Sequence, residues 1–187
     1  MPVKPLVKRL READRVDEQA RREGLYKNRC VFVARTAFGG GRALDGLRKV
    51  SETGRRDTAD IYGEIGLELG EKENKIEVRG PGQLGAFLDR HLNNKGTVGV
   101  VVTECDNDGG AHQVAVLSIE GLPAYRKKFI AGNGGNCLLI DTAFTEGGGP
   151  TVCSALATGE IDRSVDDWRR NGRIVVAQVV KRKKTRG

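Results

Sequence analysis

Aromatic residues are scarce in this chain. One Trp, three Tyr and five Phe make up 5% of 187 residues. That is thin material for the stacking platforms that hold unpaired bases, and no RNA-binding signature accompanies it. Long apolar runs are missing as well. No stretch approaches the ~18–20 residues of a membrane span. Lys4, Lys8 and Arg9 near the start have no apolar segment behind them, so no secretory signal peptide is readable. The four cysteines, Cys30, Cys105, Cys137 and Cys153, include no CxxC pair, which argues against a zinc ribbon or a thioredoxin-type motif. Without a leader they are expected as reduced thiols of a protein made in the cytoplasm. Heptads and internal repeats are absent, which removes the coiled-coil class. No metal and no cofactor are expected.

Glycine is abundant instead, at 26 residues, about twice the usual ~7% share. Its clusters follow no period, so a collagen-like reading fails. Lys+Arg 32 against Asp+Glu 25 gives +7, a balance that ordinarily invites a nucleic-acid reading. The excess is confined to the ends. Residues 1–27 carry eight Lys/Arg and five Asp/Glu, or +3; residues 181–187 carry five Lys/Arg and no acid, or +5; the remainder, 28–180, is −1. The expected organisation is therefore a charged helix or linker over 1–25, a main domain over 26–180 and a basic tail over 181–187. A chain of this length buries roughly two-thirds of its unfolded surface and needs no disulfide or metal to fold.

Residues 4–24 predict a helix with a thin apolar stripe (Leu6, Val7, Leu10, Val16, Ala20), expected to lie on the surface or to act as a linker. The segment 30–38 (CVFVARTAF) is ambiguous between a strand and a buried helix. Gly39, Gly40 and Gly41 open an amphipathic helix, RALDGLRKV, and ADIYGEIGLEL predicts another. Then the period changes. KIEV (75–78) reads as a short strand and 81–92 as a helix. TVGVVVTEC (97–105) and HQVAVLSIEG (112–121) form an antiparallel hairpin across a DNDGG turn. KKFIAG and NCLLIDTAF are expected as strands, RSVDDWRRNG as a helix and RIVVAQVVK as a last strand. Leading helices followed by an antiparallel sheet make an α+β fold.

Three residues in chain order suggest chemistry. Cys30 begins an apolar segment; if that segment is helical, the helix dipole and free N–H groups favour its thiolate. Asn28 or the Cys30 backbone N–H would then donate to an oxyanion, with Gln113 a further candidate substrate-binding side chain. His112 opens a strand beside a Gly-rich turn, a rigid and open place for a general base. Asp141 ends the strand Cys137–Ile140, where a carboxylate can hold a histidine in one tautomer. His91, within LDRHLNN, is expected to cap its helix or face solvent.

Asn28-Arg29-Cys30-Val31-Phe32-Val33-Ala34-Arg35-Thr36, followed by a glycine cluster and a helix, resembles the nucleophile segment of papain-fold toxin domains from bacterial polymorphic toxin systems, relatives of protein-glutamine deamidases. Gly109-Gly110-Ala111-His112-Gln113-Val114-Ala115-Val116 resembles the histidine strand of that family, and Leu138-Leu139-Ile140-Asp141 the strand ending in its orienting acid. The similarity covers roughly residues 26–145. The family often places Gln after the Asp-Pro of its acid, whereas Thr142-Ala143 follow Asp141 here, and the span from His112 to Asp141 is long. Asn133, Asn136 and Asp108 therefore stand as alternatives for the acid. The resemblance implies a papain-like fold and a cysteine hydrolase, a protein-glutamine deamidase or protease. Its partners would be a protein substrate in a target cell and a cognate immunity protein, after export by a specialised secretion system. Gly-rich segments 132–135 and 147–149, with Pro150, would lie over or beside the site.

Two other classes compete. A strand at 30–38 followed by Gly39–Gly41 and a helix would make a phosphate cradle, with Arg35 the clamp of an ADP-ribosyltransferase-like site. The local structure at 30–38 discriminates: a helix starting at Cys30 supports the thiol enzyme, a strand the cradle. A non-catalytic protein using the tail Lys181–Arg186 to bind nucleic acid is the other class, and its affinity would fall steeply with salt. A zinc deaminase is disfavoured, since Gln113 stands where a Glu proton shuttle is needed.

Overall fold

A computed structural model describes residues 4–107, 111–142 and 152–184, with only the backbone at 152 and 153. Four helices lead: α1 (Leu6–Arg22), α2 (Arg29–Gly39), α3 (Ala43–Thr53) and α4 (Thr58–Gly63). The short strands β1 (Leu67–Leu69) and β2 (Lys75–Glu77) come next, then α5 (Gln83–His91), β3 (Thr97–Cys105) and β4 (Ala111–Ser118). The chain continues through α6 (Ala124–Gly132), β5 (Cys137–Asp141), β6 (Val152–Leu156), α7 (Thr158–Arg170) and β7 (Ile174–Arg182). The fold is α+β. Every strand pairing is antiparallel, in the order β1-β7-β3-β4-β5-β6, with β2 also on β7.

The sheet is covered on both sides. Val101, Ala115, Leu117, Leu138 and Ile140 face α1, α2 and α3, while Val100, Val102, Val114, Val116 and Leu139 face α5 and α7. This explains why 98–102 and 114–117 read as continuous apolar runs, since both sets of alternating side chains are buried. The C-terminal strand does not trail along an edge. It inserts between β1 and β3 and runs on to Arg182, pairing Lys181 with Glu68 and Arg182 with Leu67.

The ambiguous segment 30–38 is helical. All eight residues from Val31 to Phe38 are buried, six of them apolar, and a helix buried on every side belongs in an interior. Its β-branched residues weaken helix propensity only slightly, so packing decides. Small residues let it approach its neighbours closely. A Cβ on Gly99 of β3 would meet the Phe38 ring at 2.5 Å and the Val116 carbonyl oxygen at 2.6 Å, and one on Gly46 of α3 would meet Phe32 at 2.3 Å.

Three expectations are corrected. KKFIAG is part of α6, not a strand: Pro123 stands at the N-cap of that helix and none of its residues is buried, so the run has no sheet neighbour to pair with. ADIYGEIGLEL is not one helix, because the helix stops at Gly63, Gly66 turns the chain at φ +72°, and Leu67–Leu69 form a strand. The thin stripe of α1 does not lie at the surface; Leu6, Ala13, Val16 and Ala20 are buried in the core shared with α2. No described helix is long and apolar enough to cross a membrane.

Candidate active site

Cys30 is the second residue of α2. Hydrogen bonding along the helix axis starts with Phe32 N–H to Asn28 C=O at 3.1 Å. The Cys30 and Val31 N–H groups precede it and point out of the positive end of the helix dipole. Asn28, at φ 56°, turns the chain into the helix. Its side-chain amide is committed to residue 56, donating to the Arg56 carbonyl at 3.2 Å and accepting from the Arg56 N–H at 3.1 Å. Asn28 thus anchors the helix start, and the backbone N–H groups are the donors left there for an oxyanion.

Arg29 ties this start to the sheet. Its guanidinium donates to the Thr142 carbonyl at 3.1 Å, one residue past the end of β5, and lies 3.4 Å from buried Asp17 of α1. The first turn of α2 is thereby fixed beside the strand end that carries Asp141.

His112 and Asp141 are joined directly. His112 Nε2–H donates to Asp141 Oδ1 at 2.6 Å, and Asp141 is buried. Cys30 lies close enough to the same imidazole to act on its titration. Burial by itself would lower the imidazole pKa, but Asp141 and Cys30 outweigh it and raise it to about 10. A cationic imidazole held by a buried carboxylate is placed to donate a proton.

By the two-residue alternation, His112 and Asp141 leave the sheet on the side of Val114 and Leu139, where α7 lies. Cys30 belongs to a helix on the other side, so the three meet at the end of β4 and β5. There the sole Trp of the chain, Trp168 of α7, sets its ring edge-on to His112 with centroids 6.1 Å apart. Arg173 N–H donates back to the Trp168 carbonyl at 3.2 Å, and its guanidinium donates to Glu104 Oε1 at 2.6 Å. Glu104 is the register partner of His112 across β3 and β4.

Other expected residues fall elsewhere. Gln113 lies on the α2 side of the sheet, donates to Thr103 Oγ1 at 3.1 Å, and keeps a buried oxygen without a partner. Asn133 donates to the Phe129 carbonyl and Asn136 accepts from the Thr158 N–H. Both precede β5, at the opposite end of that strand from Asp141, so neither is the partner of His112. Gly132–Gly135 sit at that far end too, not beside the site. Asp108, Gly109, Gly110 and the segment 147–150 lie outside the described residues. His91 is buried rather than solvent-facing, its ring tilted against that of Phe87 with centroids 4.5 Å apart.

The cradle of the competing reading has no strand before its glycines. Gly39–Gly41 follow the C-terminus of α2, where the dipole disfavours phosphate. Arg35 is buried, donating to the Ile61 carbonyl at 3.2 Å and to Glu64 at 3.0 Å, with its guanidinium over the Phe32 ring. Among the described residues no group of three or more His, Cys, Asp or Glu side chains is placed to hold a metal ion.

Trp168, Arg173 and Glu104 were not singled out in the sequence. Glu104 offered the one legible signal, a charge ending the apolar run VGVVVT on the strand opposite His112. Comparison with protein-family models, with curated proteins and with solved structures returns no match.

Proposed function

We propose that this chain is a papain-like cysteine hydrolase that attacks a carboxamide or peptide carbonyl through a thioester on Cys30. What carries the reading is one observation: His112 is held through Nε2 by buried Asp141 at 2.6 Å, and Cys30, in the first turn of α2, is close enough to raise the pKa of that ring. In the forward step the Cys30 sulfur bonds to the carbonyl carbon, and the oxyanion is met by N–H groups of the first turn of α2. The carbon–nitrogen bond then breaks, and the His112 proton goes to the leaving nitrogen, released as ammonia or an amine. Water next adds to the thioester, giving a proton to His112. The carbon–sulfur bond breaks and the carboxylic acid leaves. Asp141 keeps the ring oriented throughout.

The resemblance to polymorphic toxin domains makes a protein in a target cell the substrate, after export by a specialised secretion system, with an immunity protein as the cognate partner. Deamidation releases ammonia and proteolysis releases new N-termini. Both are measured in a target-cell extract treated with the wild type, Cys30→Ala and His112→Ala, alongside toxicity on expression in cells. Loss of product and toxicity in both variants is expected. Full activity of Cys30→Ala overturns the proposal.

A further inference from the structure

One helix of the fold is turned inside out. A surface helix ordinarily lays its apolar stripe on the core and shows charge to water. In α6 no residue is buried. Its inner side is made by Lys127 and Ile130, both half-buried. Ile130 packs against the core shared by α1 and α2, and Lys127 donates to Glu120 at 2.9 Å. Tyr125 and Phe129 are four residues apart and share the opposite face, where they are 70% and 74% exposed. Arg126 and Lys128 flank that face on its two sides by the helical repeat. The Arg126 guanidinium lies 5.9 Å from the centre of the Tyr125 ring. Among the described residues neither Arg126 nor Lys128 forms an ion pair.

The helix stands at the end of the sheet away from the thiol. It connects β4 to β5 where Ser118 pairs with Cys137, while His112 and Asp141 lie at the other ends of those two strands. The pairing of Thr97 with Lys181 falls at the same end as Ser118. There β7 runs out through Arg182 to exposed Lys183 and Lys184, and Lys95 is exposed in the turn that leads into β3. Cations from three separate segments thus share the end that shows the aromatic pair. The other exposed large apolar side chains among the described residues, Tyr26 and Ile174, belong to the thiol end. Tyr26 precedes α2, and Ile174 pairs with Cys105 where β3 ends.

We propose that this end of the molecule docks on an anionic lipid bilayer, with Tyr125 and Phe129 seated among the headgroups and the thiol site facing away from the membrane. Aromatic rings with cations beside them suit a membrane–water interface, where the ring is half-solvated and the charge meets phosphate. Each Lys or Arg brought near an anionic surface raises affinity about fivefold. A protein partner of ordinary kind needs on the order of 800 Å² on each side, around a packed apolar centre. Two rings on the outward face of one short helix do not supply that. Single-stranded nucleic acid is held in a basic groove whose aromatics stack the bases, whereas these rings crown a ridge. A lipid surface takes isolated side chains without a shape match. The proposal goes beyond the hydrolase reading and does not depend on it.

Sedimentation of the full chain with lipid vesicles tests this. Wild type is expected to bind phosphatidylcholine vesicles holding about one-third phosphatidylserine at least about tenfold more tightly than pure phosphatidylcholine vesicles, and less tightly as salt rises. The double variant Tyr125→Ser/Phe129→Ser is expected to bind the anionic vesicles about tenfold more weakly with its salt dependence unchanged. Arg126→Gln/Lys128→Gln is expected to lose about tenfold or more and to show a shallower salt dependence. All four side chains are exposed, so thermal unfolding of both variants should match wild type. Orientation is read from tryptophan emission. The sole Trp of the wild type, Trp168, lies beside His112 and is expected to keep its emission on anionic vesicles, while Phe129→Trp adds a component that moves to shorter wavelength. Equal binding of wild type to the two kinds of vesicle, unchanged affinity in Tyr125→Ser/Phe129→Ser, or a shift of Trp168 itself overturns the proposal. So does binding to duplex or single-stranded RNA with none to the vesicles.

Discussion

At one end of α2 a thiol lies under the helix dipole with a histidine on it. At the other end a guanidinium, three glycines and the start of a second helix look, in sequence, just as suited to bind something. The two ends differ in how far their charged groups are already committed. Arg35 spends its guanidinium on Glu64, the Ile61 carbonyl and the Phe32 ring, and Arg9 donates to the Ala37 carbonyl at 2.7 Å, closing the last turn. That end is finished as structure. At the N-terminus, Arg29 and Asn28 supply the anchoring, and Cys30 and His112 are left to each other. The lesson is that a functional group is recognised by what its neighbours leave unspent.

Substitutions along α2 test that contrast. Cys30→Ala is expected to lower hydrolysis by about 10³-fold or more, the scale on which activated nucleophiles contribute, with little change in thermal stability. Ammonia release and calorimetry check both halves. Arg35→Ala should do the reverse. It empties a buried volume and is expected to cost about 2–4 kcal/mol of stability, read by denaturant unfolding, while alkylation of Cys30 changes less than about twofold. A catalytic collapse with unchanged stability in Arg35→Ala would break the comparison.

Asp141→Asn sharpens it. The His112 pKa is raised in the folded state to about 10, so the stabilisation from its ion pairing is complete below the unfolded value of about 6.5 and is lost as pH rises through about 10. Without the carboxylate charge, burial draws the pKa down. The basic limb of the ammonia-release rate should then move down by at least about one unit. The stability gap between wild type and Asp141→Asn should narrow as pH rises from about 6.5 toward 10. A limb that stays in place, or a gap that widens, contradicts the assignment of Asp141 to His112.

Cys30, His112 and Asp141 were legible because each stands where an apolar segment begins or ends, and segment ends are where a rigid scaffold meets open space. The α+β class and the β3–β4 hairpin were readable from the change of hydrophobic period. Residues 30–38 were not, because a fully buried segment loses the alternation that separates helix from strand. Gln113 could be placed on a strand but not given a face until the register with Thr103 was known. Asn133 and Asn136 could not be separated from Asp141 without knowing which end of β5 each occupies. Trp168 and Arg173 meet His112 and Glu104 only through tertiary contact, across more than fifty residues of chain.

The molecule carries its own control for the central claim. Cys137 is buried, donates to the Leu156 carbonyl at 3.1 Å, and its thiol is pushed up to about 12 by burial, with Asp89 and Glu160 adding to the shift. Alkylation of the native chain near neutral pH, followed residue by residue by mass spectrometry, therefore compares two thiols in one fold. Cys30 is predicted to react at least about tenfold faster than Cys105 or Cys137, and to lose that advantage in His112→Ala. Equal rates at the three thiols, or an advantage at Cys30 that survives the loss of His112, would contradict it.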